Sequence, residues 1–176
     1  PEEEALIQQK FDALLDAYAH TSHSQKVELI SHAFRFAHQA HYGVRRLSGE
    51  PYILHPLAVA HICVSEIGLG STSICAALLH DVVEDSDWTF EMLEAEGFSS
   101  DVIEALRCVT KLSEDEDYDH FLNRIKGNRL ALKVKLYDLV DNLDASRIKE
   151  PTDYDIKRFK KYARAFAFIK NAISKL

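Results

Sequence analysis

The chain has 176 residues, 47% of them hydrophobic and 28% charged, with 21 Lys and Arg against 28 Asp and Glu for a net charge of −7. This is one ordinary globular domain, and six Gly and four Pro exclude a collagenous or Pro-rich disordered chain. The acidic balance gives no basic face for a nucleic acid or an anionic membrane, although a local basic pocket for one small anion is still allowed.

Helical periodicity runs along the chain. Residues 2–19 place Leu6, Ile7, Phe11, Leu14, Leu15 and Tyr18 at spacings of three and four, behind an acidic first turn. Residues 25–41 repeat the pattern with Val27, Ile30, Phe34, Ala37 and His41, and Gly43 stops it. Ser48-Gly49-Glu50-Pro51 is turn chemistry. A helix is predicted from Pro56 to near Gly68, and another follows with Ser71 or Thr72 as its cap. The interior of that second helix, Ile74-Cys75-Ala76-Ala77-Leu78-Leu79, is apolar all round, which places it at the centre of a bundle. Thr89 and Ser100 open two more amphipathic stretches. Residues 117–126, 129–143 and 153–174 complete the set. The expectation is an all-α, single-domain chain over residues 1–176, with about eight or more helices and at most a short hairpin near residues 44–54.

Cys63, Cys75 and Cys108 are too few and scattered for a disulfide framework, and no C-x-x-C spacing suggests a cysteine zinc site. No apolar run approaches the roughly 20 residues of a membrane span. A cytoplasmic chain without a membrane or nucleic-acid partner is expected.

The chemical anomaly lies in the most apolar helix. His80 and Asp81 follow directly on Ala76-Ala77-Leu78-Leu79, and Glu84 and Asp85 come three to five positions later, about one turn on along the same face. Burying such groups without partners costs several kcal/mol, so they need hydrogen bonds or a cation. Imidazole with carboxylates suits Mn²⁺, Fe²⁺, Zn²⁺ or Mg²⁺, and spacing alone does not choose among them. Further ligands must come from elsewhere. His55, beside Pro56, and Asp138, in Val134-Lys135-Leu136-Tyr137-Asp138, are candidates. His20, His23 and His120 lie in polar surroundings, whereas His32, His38, His41 and His61 read equally as surface or core positions.

These residues carry a resemblance. Arg46-Leu47-Ser48-Gly49-Glu50-Pro51-Tyr52-Ile53-Leu54-His55-Pro56, then Ala76 to Asp85 with its His80-Asp81 and Glu84-Asp85 pairs, then Val109-Thr110-Lys111 and Val134 to Asn142, resemble in order the blocks of the HD hydrolase domain of RelA/SpoT alarmone enzymes. The likeness runs from about residue 26 to 170, so the chain is similar to a stand-alone small alarmone hydrolase. That resemblance implies removal of the 3′-pyrophosphate from ppGpp, pppGpp or their adenine counterparts, a small-molecule nucleotide substrate. It implies one divalent ion, Mn²⁺ in the family, held by His55, His80, Asp81 and Asp138. Glu84 and Asp85 would position or deprotonate the attacking water. Arg46, Asn142, Arg158 and Tyr162 would contact the nucleotide, with Lys111 and Lys135 adding charge near the pyrophosphate. A monomer and a homo-oligomer are equally compatible with the sequence.

Three positions depart from the family pattern. Leu47 stands where Lys or Arg is usual, Asp141 replaces a His before Asn142, and Ala145 stands where a small hydroxyl residue is common. None of the three is expected to touch the metal set; they bear on base preference and affinity. Two rival readings keep the fold: an HD phosphohydrolase for another nucleotide, and a non-catalytic nucleotide-binding module.

Overall fold

The computed structural model describes residues 2–20, 26–64 and 70–176. Among them lie ten α-helical segments: α1 (Glu2–Ala19), α2 (Val27–Ala40), α3 (Leu54–Cys63), α4 (Gly70–Leu79), α5 (Val82–Asp85), α6 (Phe90–Ala95), α7 (Ser100–Val109), α8 (Tyr118–Lys126), α9 (Arg129–Asn142) and α10 (Asp153–Ser174), with a 3-10 turn at Ala145–Arg147. The all-α expectation holds. The hairpin near residues 44–54 reduces to one antiparallel bridge between Arg45 and Pro51. Gly49, at a φ of +94°, lets the chain reverse there, a backbone region costly for residues with a Cβ.

α4 sits in the middle because its sequence has no polar face to offer. It packs on α2, α3, α7 and α9, and every residue from Ser73 to Leu79 is buried. Around it, the apolar stripes of the other helices close a single core that includes Leu14, Ile30, Val59, Leu106, Ile125, Leu132 and Ile169. α10 lies along α9 and also touches α8.

Side-chain caps fix the starts of the last five helices. The Thr89, Asp117 and Asn128 side chains accept from the backbone N–H three residues on, and Thr152 with Asp155 forms a complete capping box at the head of α10. Some boundaries differ from expectation. Ser99, not Ser100, caps α7 by accepting from Val102 N–H. α3 begins at Leu54, so Pro56 occupies its first turn, where its missing N–H costs nothing. α4 begins at Gly70, which puts Ser71 and Thr72 inside its first turn rather than at its cap. The predicted helix end near Gly68, like His23, lies outside the described residues. Cys75 and Cys108 are free thiols. No helix among the described residues is long and apolar enough to cross a membrane.

The largest departure concerns the central helix. His80 and Asp81 are not in its body: α4 ends at Leu79, both residues form a turn, and α5 restarts at Val82. The cause is local. The Ala77 carbonyl, which a continuing helix would offer to the N–H of Asp81, instead accepts from His80 Nδ1 at 2.6 Å. Glu84 and Asp85 therefore ride on a separate short helix.

Candidate active site

Three helices converge where α4 breaks. The first turn of α3 delivers His55, the turn after α4 delivers His80 and Asp81, and α9 delivers Asp138 and Asp141 one turn apart. One ligand-type atom each from His55, His80 and Asp81 lie within 4.8 Å of one another. Asp138 joins them: its Oδ1 accepts from His55 Nε2 at 2.7 Å and from His80 Nε2 at 3.3 Å. His80 Nε2 also stands 3.0 Å from Asp81 Oδ2.

Each imidazole is oriented from behind. His55 Nδ1 donates to Asp141 Oδ2 at 2.6 Å, and His80 Nδ1 to the Ala77 carbonyl, so in both rings Nε2 is the nitrogen turned to the carboxylates. The other carboxylate atoms are also supported. Lys135 Nζ donates to Asp138 Oδ2 at 2.9 Å, Asn142 Nδ2 to Asp138 Oδ1 at 3.1 Å, and the Tyr52 hydroxyl to Asp81 Oδ2. Arg46 spans Asp141 Oδ2 at 2.8 Å and Asn142 Oδ1 at 3.2 Å.

The charge pattern follows from this packing. Burial alone would lower the pKa of His55 and His80, but the neighbouring Asp138, Asp141 and Asp81 carboxylates hold both above the ordinary imidazole value. Burial works against ionised Asp141 as well, yet His55 and Arg46 keep its carboxyl down at about 2. Two imidazolium rings balance the charge of Asp81 and Asp138. A divalent cation with neutral imidazoles balances the same two carboxylates, so the donor set fits such an ion in charge and chemistry.

A cavity of about 200 Å³ opens on this cluster and is lined by His80, Asp81, Glu84 and Asp138 together with Lys111 and Lys135. Tyr52, Asn142 and Tyr162 line it too, and they also line an adjoining cavity of about 720 Å³. That larger space carries Arg46, Arg147, Lys149 and Arg158 on its walls. Tyr52, Asn142 and Tyr162 thus form a common wall between a small chamber of mixed charge and a larger one in which cations outnumber carboxylates.

The profile of the HD domain matches residues 33–146. The chain belongs to the HD domain family. It is 33% identical over 147 residues to a guanosine-3′,5′-bis(diphosphate) 3′-pyrophosphohydrolase of Aquifex aeolicus, covering 80% of this chain and 20% of that protein. A protein of the same name from Vibrio cholerae is 43% identical over 104 residues, 59% of this chain and 14% of that one. A probable GTP pyrophosphokinase of Mycobacterium leprae is 36% identical over 133 residues, 71% of this chain and 17% of that one. The chain spans a fifth or less of these relatives. A solved structure described as a metazoan ortholog of SpoT that hydrolyzes ppGpp superposes with a TM-score of 0.67 at 26% identity, covering 84% of this chain and 92% of that one.

Within this HD domain the sequence-predicted residues fall into two groups. His55, His80, Asp81 and Asp138 come together, and Glu84 faces the same small cavity. Arg46, Asn142, Arg158 and Tyr162 line the large one, with the Arg158 guanidinium 5.8 Å from the Tyr154 ring centre and 5.9 Å from that of Tyr162. Asp85 separates from the set. It lines an outer groove and stands 3.9 Å from Nδ1 of buried His41, a pairing with no sequence signal. Burial and the charges of Asp81 and Glu84 push the Asp85 carboxyl up to about 6, while burial takes His41 down to about 4.

Asp141 requires a correction. It does touch the predicted ligand set, through His55, and its three-residue spacing from Asp138 on α9 was the available signal. Tyr52 and Arg147 are further site residues that sequence reasoning passed over.

Proposed function

We propose that the chain is a single HD hydrolase domain over residues 1–176 that removes the 3′-pyrophosphate of ppGpp-type alarmones, releasing pyrophosphate and the nucleoside 5′-phosphate. One observation carries the reading: Glu84 shares a small cavity with His80, Asp81 and Asp138, and that cavity shares a wall with a larger one in which cations outnumber carboxylates. The arrangement matches a reaction in which water meets a phosphoryl group while a nucleotide is held alongside. The names of the relatives and the likeness to a ppGpp-hydrolyzing structure point to the same substrate class.

His55, His80, Asp81 and Asp138 would hold one divalent ion, Mn²⁺ by family resemblance. When bound, that ion supplies charge that acidifies water and polarises a phosphoryl oxygen. Glu84 takes the proton of the attacking water. Burial, and after it the Asp81 charge, raise the Glu84 pKa, which makes its carboxylate a stronger base. Asp85, which lines the outer groove and stands beside His41, takes no direct part in this step. Hydrolysis then breaks the bond between phosphorus and the ribose 3′-oxygen, and that oxygen receives a proton.

Arg46 and Asn142, bound to each other and to the carboxylates of α9, form the wall between the chambers and orient the ribose and its phosphates. The Arg158 Nε, buried without a hydrogen-bond partner among the described residues, is a donor directed to the nucleotide, and Tyr162 gives it a face to lie against. Only three cysteines, with no C-x-x-C spacing among them, fit a reducing cytoplasm. The test is product identification. Mn²⁺-loaded protein incubated with ppGpp should yield pyrophosphate and GDP, and His80→Ala should yield neither. Turnover of nucleoside monophosphates with ppGpp left intact would move the assignment to another phosphohydrolase.

A further inference from the structure

The small cavity has a second wall, of which the hydrolytic reading uses only the charge of Lys111. Lys111 follows α7, Tyr118 opens α8 and Lys161 projects from α10, and all three line it. Both ammonium groups approach one aromatic ring. Lys161 Nζ is 4.2 Å from the Tyr118 ring centre and Lys111 Nζ is 5.8 Å from it. No carboxylate among the described residues lies within ion-pair distance of either lysine, whereas Lys135 is taken by Asp138. The Tyr118 hydroxyl is buried and has no hydrogen-bond partner among the described residues.

Such a wall is unusual in an acidic protein. Burial, together with repulsion from Lys111 and Lys135, holds Lys161 below its ordinary pKa. A buried donor without an acceptor carries a desolvation cost of its own. Both are offset if an anion rich in acceptor oxygens occupies the space between this wall and the carboxylate cluster.

We propose that Lys111, Lys161 and the Tyr118 hydroxyl form the receptor for the distal phosphoryl group of a pyrophosphate substituent. The proposal rests on the hydrolase reading for its placement of the proximal phosphoryl group at the carboxylate cluster. A dianionic terminal group reaches both lysines and gives the hydroxyl an acceptor; a monophosphate held at the cluster leaves all three donors unfilled. These residues thus set the length of the phosphate chain accepted and act on binding rather than on water activation. Lys161 and Tyr118 are specificity determinants in this scheme.

Binding of inorganic pyrophosphate and of orthophosphate to Mn²⁺-loaded protein, measured by calorimetry and by competition with ppGpp turnover, tests the proposal. Wild type should favour pyrophosphate. One charge-assisted hydrogen bond is worth roughly 10- to 100-fold in affinity. Lys161→Met should therefore weaken pyrophosphate binding and raise KM for ppGpp by about that factor with little change in kcat. Lys161→Arg should restore most of the loss, and Tyr118→Phe, which keeps the ring, should cost about 3- to 10-fold. Pyrophosphate no tighter than orthophosphate in wild type, or affinities within twofold of wild type in both Lys161→Met and Tyr118→Phe, would overturn the receptor and leave the hydrolase standing. Pyrophosphate bound through Lys161 by a protein that leaves ppGpp intact would uphold the receptor and remove the alarmone assignment instead.

Discussion

Asp141→Asn isolates the support behind the proposed metal ligands. The substitution keeps shape but removes a charge that three cationic groups use: His55 Nδ1 at 2.6 Å and Arg46 at 2.8 Å share Oδ2, and Arg147 lies 3.4 Å from Oδ1. An amide offers one acceptor oxygen. If it serves His55, its NH₂ turns toward an arginine; if it serves Arg46, the His55 ring loses its anchor. Either way at least one charge-assisted bond in a half-buried site is lost, worth about 1.5–3 kcal/mol. Part of that falls on stability and part on the ion. Loss of a carboxylate behind a ligating imidazole typically weakens metal affinity or activity about 10- to 100-fold. The Mn²⁺ concentration giving half-maximal turnover should rise by that factor, with kcat recovering toward wild type at excess metal. Thermal unfolding with and without Mn²⁺ separates the two contributions, because the metal-dependent gain in Tm shrinks only if affinity has fallen. A variant with wild-type Mn²⁺ dependence and a merely lower Tm would refute the role of Asp141 in orienting His55.

Glu84→Gln should lower turnover ~10²–10⁴-fold while Mn²⁺ affinity stays within about twofold; a near-wild-type rate would move the base role elsewhere. Glu116 accepts a two-pronged bond from Arg124, with both N–O distances 2.8 Å, and this holds its carboxyl down at about 2. A depressed carboxyl stabilises the fold above its unfolded pKa and loses that contribution as pH falls through the folded one. The Tm gap between wild type and Glu116→Gln should accordingly be several degrees at pH 7 and close between about pH 4 and pH 2; a gap independent of pH would remove the ion pair from the account. Leu47, 72% exposed at the edge of the large cavity, leaves that rim one cation short of the family pattern. Leu47→Lys should shift the kcat/KM ratio toward ppGpp over ppApp by about 5-fold, the low end for one base contact because water screens it. An unchanged ratio would mean that the side chain touches no base.

Most helices were legible in the sequence because their apolar positions recur every three or four residues and because Thr89, Asp117, Asn128 and Thr152 mark starts by composition. The end of α4 was not. Ala-Ala-Leu-Leu-His-Asp contains no Gly or Pro, and what stops the helix is a side chain competing for a backbone carbonyl, which spacing does not reveal. The four predicted ligands could be named from motif order, but the support from Asp141 required knowing that α9 lies against α3. Lys161 carried no sequence signal for the same reason, and Lys111 read equally as a surface charge or as one near the pyrophosphate. Their common orientation over Tyr118 arises only when α7, α8 and α10 meet at α9.

The termination of α4 also makes the chemistry answerable to the interior. Ala77 is fully buried, and its carbonyl is the atom that aims His80. A densely packed core transmits displacement rather than absorbing it. An added methylene at Ala76 or Cys75, both of them fully buried, would reach the imidazole as a shift of its backbone anchor without altering any polar group. Cation affinity in this protein is in that sense a gauge of how well its oiliest helix is seated.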